Sequence, residues 1–270
     1  MMSNEKIEYA GDDLSMYAER HTTTPQVRIL SQNFEIPQLG CDRRIWIYLP
    51  TNYELSQQHY PVIYMQDGQN LFDEFTASYA EWHVDEIMES LPPNEQCIIV
   101  GIDHAGENRI TEYNPFDSEH GKGKGNDYTD FLAQTLKPFV DSNYRTRPQP
   151  QYTAIAGSSM GGLITMFAAL KYPQVFGHAG VFSPAFWIAP QIYEAALNTP
   201  LPPGARFYFV CGDAESETMV SDVQAMAAII RDKNISDDNC PVTIIEGAGH
   251  DEQQWQHDFW AFYEWLKSSF

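Results

Sequence analysis

The chain is poor in positive charge. Sixteen lysine and arginine residues stand against 37 aspartate and glutamate residues, which gives a formal net charge of −21 at pH 7. So acidic a surface repels nucleic-acid phosphates and anionic lipids, so neither nucleic acid nor membrane is an expected partner. No run approaches the about 18 apolar residues that a spanning helix needs. The opening MMSNEKIEYAGDD lacks a basic start followed by an apolar stretch, and therefore predicts no secretory signal.

Cysteine is scarce and scattered. Its four occurrences, Cys41, Cys97, Cys211 and Cys240, form no CxxC pair. That spacing argues against a cysteine-bound metal, and Cys97 and Cys211 lie in apolar runs typical of buried free thiols. Free thiols are usual in reducing compartments, so the sequence predicts a cytoplasmic protein without a metal site.

Enough apolar sequence is present for one large core. The 270 residues are 43% hydrophobic and 13% aromatic, which fits a single domain over residues 25–270 after a polar segment over residues 1–24. Continuous apolar runs of the kind that form fully buried strands alternate with segments of helical periodicity. This alternation predicts an α/β fold with about eight strands in a mostly parallel sheet flanked by helices. Strands are expected at residues 27–36, 43–49, 61–65, 97–102, 152–156, 180–182, 206–211 and 242–246, and helices at residues 82–90, 128–141, 160–172, 220–233 and 253–267.

The longest irregular stretch covers residues 103–126 and contains the run GKGKG. A loop of this length inside a compact domain is usually functional or mobile. We interpret it as an insertion over the edge where parallel strands end and where α/β proteins place their sites.

A Gly-x-Ser-x-Gly motif spans residues 157–161 and centres on Ser159. In such a motif the serine occupies a sharp turn from strand to helix, which projects its hydroxyl above the sheet. The alternative is a glycine- and serine-rich turn at an ordinary strand–helix junction. The apolar strand before the motif and the apolar helix after it favour the nucleophile.

Three histidines follow Ser159, namely His178, His250 and His257. Chain order in serine hydrolases of this type runs serine, acid, histidine. His178 comes too early and His257 falls in a helical pattern, whereas His250 lies in a glycine-flanked loop after the last predicted strand. We therefore expect His250 to be the base.

The acid should follow the preceding strand, RFYFVCG, whose loop reads GDAESE over residues 212–217. Its carboxylate must accept a hydrogen bond from the imidazole and fix the tautomer of that ring. Spacing alone leaves both Asp213 and Glu215 open.

Several segments together resemble the Putative esterase family, which includes esterase D and enterobactin-esterase-like hydrolases. They are YMQDGQNLFD (64–73), EWHVDE (81–86), EYNPF (112–116), KPFVDSNYRT (137–146), AGSSMGGL (156–163), VFSPAFW (181–187) and GAGHDEQQW (247–255). The resemblance extends from about residue 43 to the C-terminus and implies the α/β-hydrolase fold.

The same resemblance implies roles for further residues. It favours Glu215 as the acid, with Asp213 as the alternative, because the family places its acid in a Gly-x-x-Asp/Glu loop. It implies an oxyanion hole made by the backbone N–H groups of Gln69 and Met160. Trp82, Phe186 and Trp187 are implied pocket walls, with core packing as the alternative for each. The siderophore esterases of the family bind anionic substrates, for which the long loop offers only Arg109, Lys122 and Lys124.

The implied reaction is hydrolysis of a small-molecule carboxylic ester through an acyl-enzyme, without metal or organic cofactor. Two alternatives stay open. One is transfer of the acyl group to an alcohol acceptor, and the other is a non-catalytic binding protein that keeps the fold.

Overall fold

In the computed structural model, which describes residues 21–270, one eight-stranded sheet runs through the molecule in the order β1-β2-β4-β3-β5-β6-β7-β8. Of the polar segment predicted over residues 1–24, residues 1–20 lie outside the described part. The strands are β1 (Val27–Ile36), β2 (Cys41–Tyr48), β3 (Val62–Gln66), β4 (Ile98–Ile102), β5 (Thr153–Ser158), β6 (His178–Phe182), β7 (Arg206–Gly212) and β8 (Val242–Ile245).

The sheet is antiparallel at one edge and parallel elsewhere. β2 pairs antiparallel with both β1 and β4, whereas β4, β3, β5, β6, β7 and β8 follow one another in parallel. Every residue of β3, β4, β5 and β6 is buried, as expected for strands covered on both faces. The predicted eight-stranded, mostly parallel sheet is thereby confirmed.

Helices cover both faces of this sheet. They are α1 (Val84–Glu89), α2 (Arg109–Glu112), α3 (Gly125–Phe131), α4 (Lys137–Asn143), α5 (Met160–Lys171), α6 (Gln191–Asn198), α7 (Met219–Arg231) and α8 (Glu252–Lys267). One apolar core lies between the sheet and α3 to α7, and a second lies between the other face and α1 with α8. Alternate side chains of β3 enter the two cores, with Tyr64 in the first and Met65 in the second, because successive strand residues point to opposite faces.

Three helical regions differ from the sequence expectation, and one of them is α6 (Gln191–Asn198), where no helix was expected. The helix predicted over residues 128–141 is α3 and α4 joined by a π-helical turn, Leu132–Leu136. Pro138 lies at the start of α4, where its missing N–H interrupts the ladder of helical hydrogen bonds. The region expected to be irregular over residues 103–126 holds α2, which is a single turn and too short to show periodicity. Within residues 21–270, no helix combines the length and apolar character needed to cross a bilayer.

Candidate active site

Ser159 occupies the sharp turn between β5 and α5. Its φ is 57° and its ψ is −121°, a backbone region that non-glycine residues seldom adopt. The turn is held by the Ser159 N–H, which donates to the carbonyl of Phe182 at 3.0 Å. It also needs glycine at its flanks, because a Cβ on Gly157 would lie 2.7 Å from the side chain of Gln66. The hydroxyl thus projects from the C-terminal edge of the sheet at the first turn of α5.

His250 lies between β8 and α8, within hydrogen-bond distance of that hydroxyl. Its Nε2 is 3.0 Å from Ser159 Oγ, although the two residues are far apart in sequence. The preceding loop turns at Gly247, whose φ is 72°. The side chain of Asp251 then caps α8 by accepting from Gln254 N–H at 3.0 Å. The end of a strand and a capped helix therefore fix His250 from both sides.

The competing histidines lie elsewhere. His178 is buried in β6, where its Nε2 bonds to the carbonyl of Gln151 at 2.9 Å. Burial lowers the pKa of His178 to about 4. His257 is exposed on α8. The structure thus brings only His250 of these three histidines to Ser159.

Glu215 lies behind His250 in the loop after β7. Its Oε2 is 2.6 Å from His250 Nδ1, and its side chain is 1% exposed. Two donors occupy the other oxygen, Oε1: the Gly212 N–H at 2.5 Å and the Ser183 hydroxyl at 2.7 Å. An ionised carboxylate only accepts hydrogen bonds, so His250 must donate from Nδ1 and keep Nε2 free to accept from Ser159.

Asp213, the alternative acid, faces another group. Its Oδ1 accepts from the Gly247 N–H at 2.7 Å. The Asp213 N–H donates to the carbonyl of Ile245 at 3.1 Å. Asp213 therefore braces the loop that carries His250, while the carboxylate hydrogen-bonded to the imidazole is that of Glu215.

Gln69 lies in the turn that follows β3, and Met160 lies in the turn that follows the neighbouring strand β5. Parallel pairing of β3 with β5 sets Met65 opposite Ala156, so the 3-10 turn Gly68–Asn70 follows β3 beside the serine. The first hydrogen bond of that turn comes from the Asn70 N–H to Asp67 O at 2.9 Å, one residue after Gln69. The Met160 N–H belongs to the first residue of α5 and so has no acceptor within its helix. Both N–H groups are therefore suited to bind a ligand oxygen.

Arg109 holds the turn that carries Gln69. Its Nε and Nη2 donate to the two carboxylate oxygens of Asp67 at 2.7 and 2.8 Å. Asp67 is 7% exposed and has the left-handed φ of 56°. Burial and Asp67 act on Arg109 in opposite directions, and the net effect raises the pKa of the guanidinium. The sequence offers Arg109 as a cation for an anionic substrate, but in the structure its guanidinium pairs with the Asp67 carboxylate.

Of the three aromatic residues expected in the pocket, only Trp187 is open to solvent, with 50% exposure. Its ring centre is 6.5 Å from that of His250, and it borders a cleft of about 390 Å³ lined also by Asp117 and His120. Trp82 and Phe186 are buried. Trp82 packs on Phe182 and Trp255, and Phe186 packs on Tyr193.

Two residues that contact Glu215 or His250 were not predicted from the sequence. Ser183, at the end of β6, donates to Glu215, and Trp255 of α8 donates from its indole Nε1–H to Ser183 Oγ at 2.8 Å. Both fall inside segments that carry the family resemblance, VFSPAFW and GAGHDEQQW. Their place in these segments was the only sign in the sequence that they belong to the site, because 72 residues separate the two side chains.

Within residues 21–270, one group of side chains has the composition of a metal site: Glu81, His83 and Glu86, with ligand atoms within 4.8 Å of one another. His83 Nδ1 lies 3.3 Å from Glu81 and 3.4 Å from Glu86, so the group already forms an ion-pair cluster. It lies at the start of α1 and includes none of the residues around Ser159.

Comparison with known sequences gives one family and several relatives. A family described as Putative esterase matches residues 36–266. The protein YbbA of Bacillus subtilis (strain 168) is 29% identical over 248 residues, which cover 83% of this chain and 92% of YbbA. An iron(III) enterobactin esterase of Dickeya dadantii (strain 3937) is 31% identical over 160 residues, covering 59% of this chain and 34% of that protein.

Comparison with solved structures concerns the fold. A structure described as ferulic acid esterase superposes with a TM-score of 0.69 at 18% identity, and covers 91% of this chain and 99% of that one. Together with the strand order, this likeness confirms the predicted α/β-hydrolase fold.

Proposed function

Because the chain belongs to the Putative esterase family and is a carboxylic ester hydrolase, we propose that it cleaves its ester with the triad Ser159, His250 and Glu215. The observation that carries this proposal is the unbroken chain of contacts from Ser159 Oγ to His250 Nε2 at 3.0 Å and from His250 Nδ1 to Glu215 Oε2 at 2.6 Å. Both distances suit proton transfer between the serine and an oriented imidazole.

In the first half-reaction, Ser159 Oγ attacks the ester carbonyl while His250 Nε2 takes the hydroxyl proton. The negative charge that develops on the carbonyl oxygen is met by the N–H groups of Gln69 and Met160. Such preorganised donors contribute about 3–4 kcal/mol each in measured enzymes. His250 then gives its proton to the departing alkoxide, which leaves as the alcohol and yields the acyl-enzyme.

In the second half-reaction, water replaces the alcohol. His250 takes a proton from the water as it attacks the acyl carbonyl, and returns a proton to Ser159 Oγ when the acid leaves. Glu215 stays ionised throughout and stabilises the imidazolium that forms twice in each cycle. No step requires an oxidant, a metal or an organic cofactor.

The proposed substrate is a small-molecule ester without a strong negative charge on the portion that would lie against Trp187. The nearest arginine to the oxyanion turn, Arg109, already pairs with Asp67, and the cleft beside Trp187 has the acidic residues Asp117 and Glu119 on its border. Trp187 offers an exposed ring on which an aromatic or sugar portion would stack. The relative named as an iron(III) enterobactin esterase makes that ester class a natural test substrate.

A cytoplasmic location is part of the proposal and rests on the cysteines. All four are free thiols, and Cys97, Cys211 and Cys240 are buried. Burial raises the pKa of the Cys97 thiol to about 12, which keeps it protonated and unreactive. Thiols of this kind serve as packing groups in a reducing compartment.

The test is hydrolysis of p-nitrophenyl esters from acetate to octanoate by the wild type, Ser159→Ala and Ser158→Ala. Ser158 is the neighbouring serine of the same motif and serves as the matched control. Turnover should vanish in Ser159→Ala and persist in Ser158→Ala. Equal turnover in wild type and Ser159→Ala would remove Ser159 from the mechanism.

The pH profile gives an independent check. Only neutral imidazole accepts the proton of Ser159, so kcat/KM should be lower in acidic than in neutral buffer. Equal kcat/KM in the two buffers would contradict the role of His250.

A further inference from the structure

We propose that Ser183 and Trp255 form a directional hydrogen-bond relay that holds the proposed catalytic acid, Glu215, in its working position. The inference rests on the function proposed for Glu215. It assigns Ser183 and Trp255 as positioning residues, which act through the acid and touch neither substrate nor the reacting atoms.

The direction of the relay follows from donor chemistry. An indole Nε1–H can only donate, so the Ser183 oxygen must accept from Trp255 at 2.8 Å. The single hydrogen of the hydroxyl is then free for Glu215 Oε1, 2.7 Å away. Without Trp255, the hydroxyl could rotate away from the carboxylate. Trp255 therefore determines which way Ser183 points, and Ser183 fills one of the acceptor positions of Glu215.

Burial and backbone strain mark Ser183 as more than a surface contact. Ser183 has no exposed surface, and its φ of 42° lies in the left-handed region. A non-glycine residue keeps such a conformation only where its surroundings hold it there. One such restraint is its own N–H, which donates to the carbonyl of Val210 in β7 at 2.8 Å. The strained backbone places the hydroxyl at the end of β6, opposite the loop that carries Glu215.

Trp255 also contacts the base. Its ring packs edge-to-face on His250, with centres 4.9 Å apart and an interplanar angle of 88°, and it also packs on the ring of Trp82, with centres 5.9 Å apart. One side chain of α8 therefore restrains His250 by packing and Glu215 through Ser183. Loss of the indole N–H alone should loosen the acid while leaving the packing against His250 in place.

Three variants separate these contributions. Ser183→Gly removes the hydroxyl and suits the left-handed φ, so the fold should tolerate it better than Ser183→Ala. Trp255→Phe removes the indole N–H and keeps an aromatic ring, and the third variant combines both changes. Trp265→Phe is the matched control, because Trp265 lies on the same helix and donates its indole N–H to the Asp238 carbonyl at 2.9 Å, outside the site.

Kinetics on a short ester give the first readout. Since a hydrogen bond to a charged group is lost, Ser183→Gly should lower kcat by about 10- to 100-fold with little change in KM. Trp255→Phe should show a smaller loss, and the double variant should be no worse than Ser183→Gly, because both changes act on one relay. Losses that multiply in the double variant would overturn the relay, as would an unchanged kcat in Ser183→Gly.

The second readout does not depend on turnover. The proton shared by His250 Nδ1 and Glu215 should give a downfield proton NMR resonance, which can be recorded in a Ser159→Ala background. We expect Ser183→Gly to shift or broaden this resonance and Trp265→Phe to leave it unchanged. An unmoved resonance in Ser183→Gly would reject the positioning role even if the proposed nucleophile is correct. Turnover by Ser159→Ala would reject the nucleophile and leave this readout valid.

Discussion

Two regions of the molecule bury carboxylates in opposite ways. Glu215 is 1% exposed on its side chain, and three donors reach its two oxygens. Glu81 is 0% exposed on its side chain, yet no donor within residues 21–270 reaches its Oε1. Asp85 is equally buried, and its Oδ1 likewise has no partner in that range.

The difference between the two regions shows what favours the ionised form of a buried carboxylate. Burial raises the pKa of Glu81 to about 7, although the Thr22 hydroxyl opposes this by donating to Oε2. Burial likewise raises the pKa of Asp85 to about 8. Donors aimed at the charged form favour ionisation, whereas desolvation without them favours the protonated form. The donors around Glu215 favour its ionised form. Ionisation of Glu81 or Asp85 instead destabilises the folded state, so their effect on stability depends on pH.

The largest expected effect comes from spoiling the acceptor character of Glu215. In Glu215→Gln, the amide oxygen can still accept from Ser183 and Gly212, but the amide nitrogen then faces His250 Nδ1. His250 would have to carry its proton on Nε2, which is the wrong tautomer for accepting from Ser159. We expect kcat to fall by about 10⁴-fold with the fold intact, as for the equivalent change in serine proteases. A loss below about tenfold in steady-state ester hydrolysis would contradict this role.

A smaller effect is expected when Arg109, the other tightly paired group of the site, is changed. Arg109→Ala leaves Asp67 buried without its bidentate partner at the turn that carries Gln69. Displacement of one oxyanion donor should lower kcat by about 10- to 100-fold, and the uncompensated charge should lower the melting temperature. Arg109→Lys keeps the positive charge but not the planar guanidinium. Its kcat should lie between those of the wild type and Arg109→Ala. If Arg109→Ala kept the kcat of the wild type, the Arg109–Asp67 pair would have no role in positioning the oxyanion donor.

The sequence predicts the elements that meet at the site better than the contacts made there. Ser159 and His250 are predicted from a local motif and from chain order, because Ser159 comes directly after a recognisable strand and His250 lies in the loop that follows another. Glu215 and Asp213 lie two residues apart on one loop, and spacing could not separate them. The structure separates the two carboxylates by their partners. The Gly247 N–H donates to Asp213, whereas the Glu215 carboxylate lies against the imidazole of His250.

Contacts between distant segments could not be predicted from the sequence, and the reason is physical. The pair Arg109–Asp67 joins residues 42 apart, and Trp255–Ser183 joins residues 72 apart. Such pairs form only once strand order and helix direction are set. Periodicity predicts neither the partner of a single arginine nor the direction of a single hydroxyl.

The acidic region should reveal itself in stability rather than in rate. The folded state holds protons on Glu81 and Asp85 that the unfolded chain releases near its normal pKa of about 4. Stability therefore falls as pH rises from about 4 to about 8, and the cost is fully present above that window. Asp85→Asn keeps an oxygen for the Thr24 N–H and cannot ionise. We expect it to be more stable than the wild type at about pH 9, by about 1–3 kcal/mol.

The advantage of Asp85→Asn should disappear below the low-pH end of the window, where the wild-type carboxyl is protonated in both states. Thermal unfolding at several pH values measures it. Asp42→Asn, on an exposed residue, controls for the loss of one negative charge from this acidic chain. An equal gain in both variants would assign the effect to net charge and not to burial.

The smallest effect is expected at Asp213, and it sharpens the contrast from within one loop. Asp213 and Glu215 share the turn after β7, but Asp213 accepts from the backbone of the His250 loop and not from the imidazole. Asp213→Asn keeps an acceptor for the Gly247 N–H and leaves the hydrogen bonds to Glu215 in place. We expect kcat to stay within about threefold of the wild type, in line with a surface substitution. If Asp213→Asn and Glu215→Gln instead lowered kcat equally, the acid would not be identified by its contact with His250. The three hydrogen bonds that reach Glu215 would then not distinguish the catalytic acid.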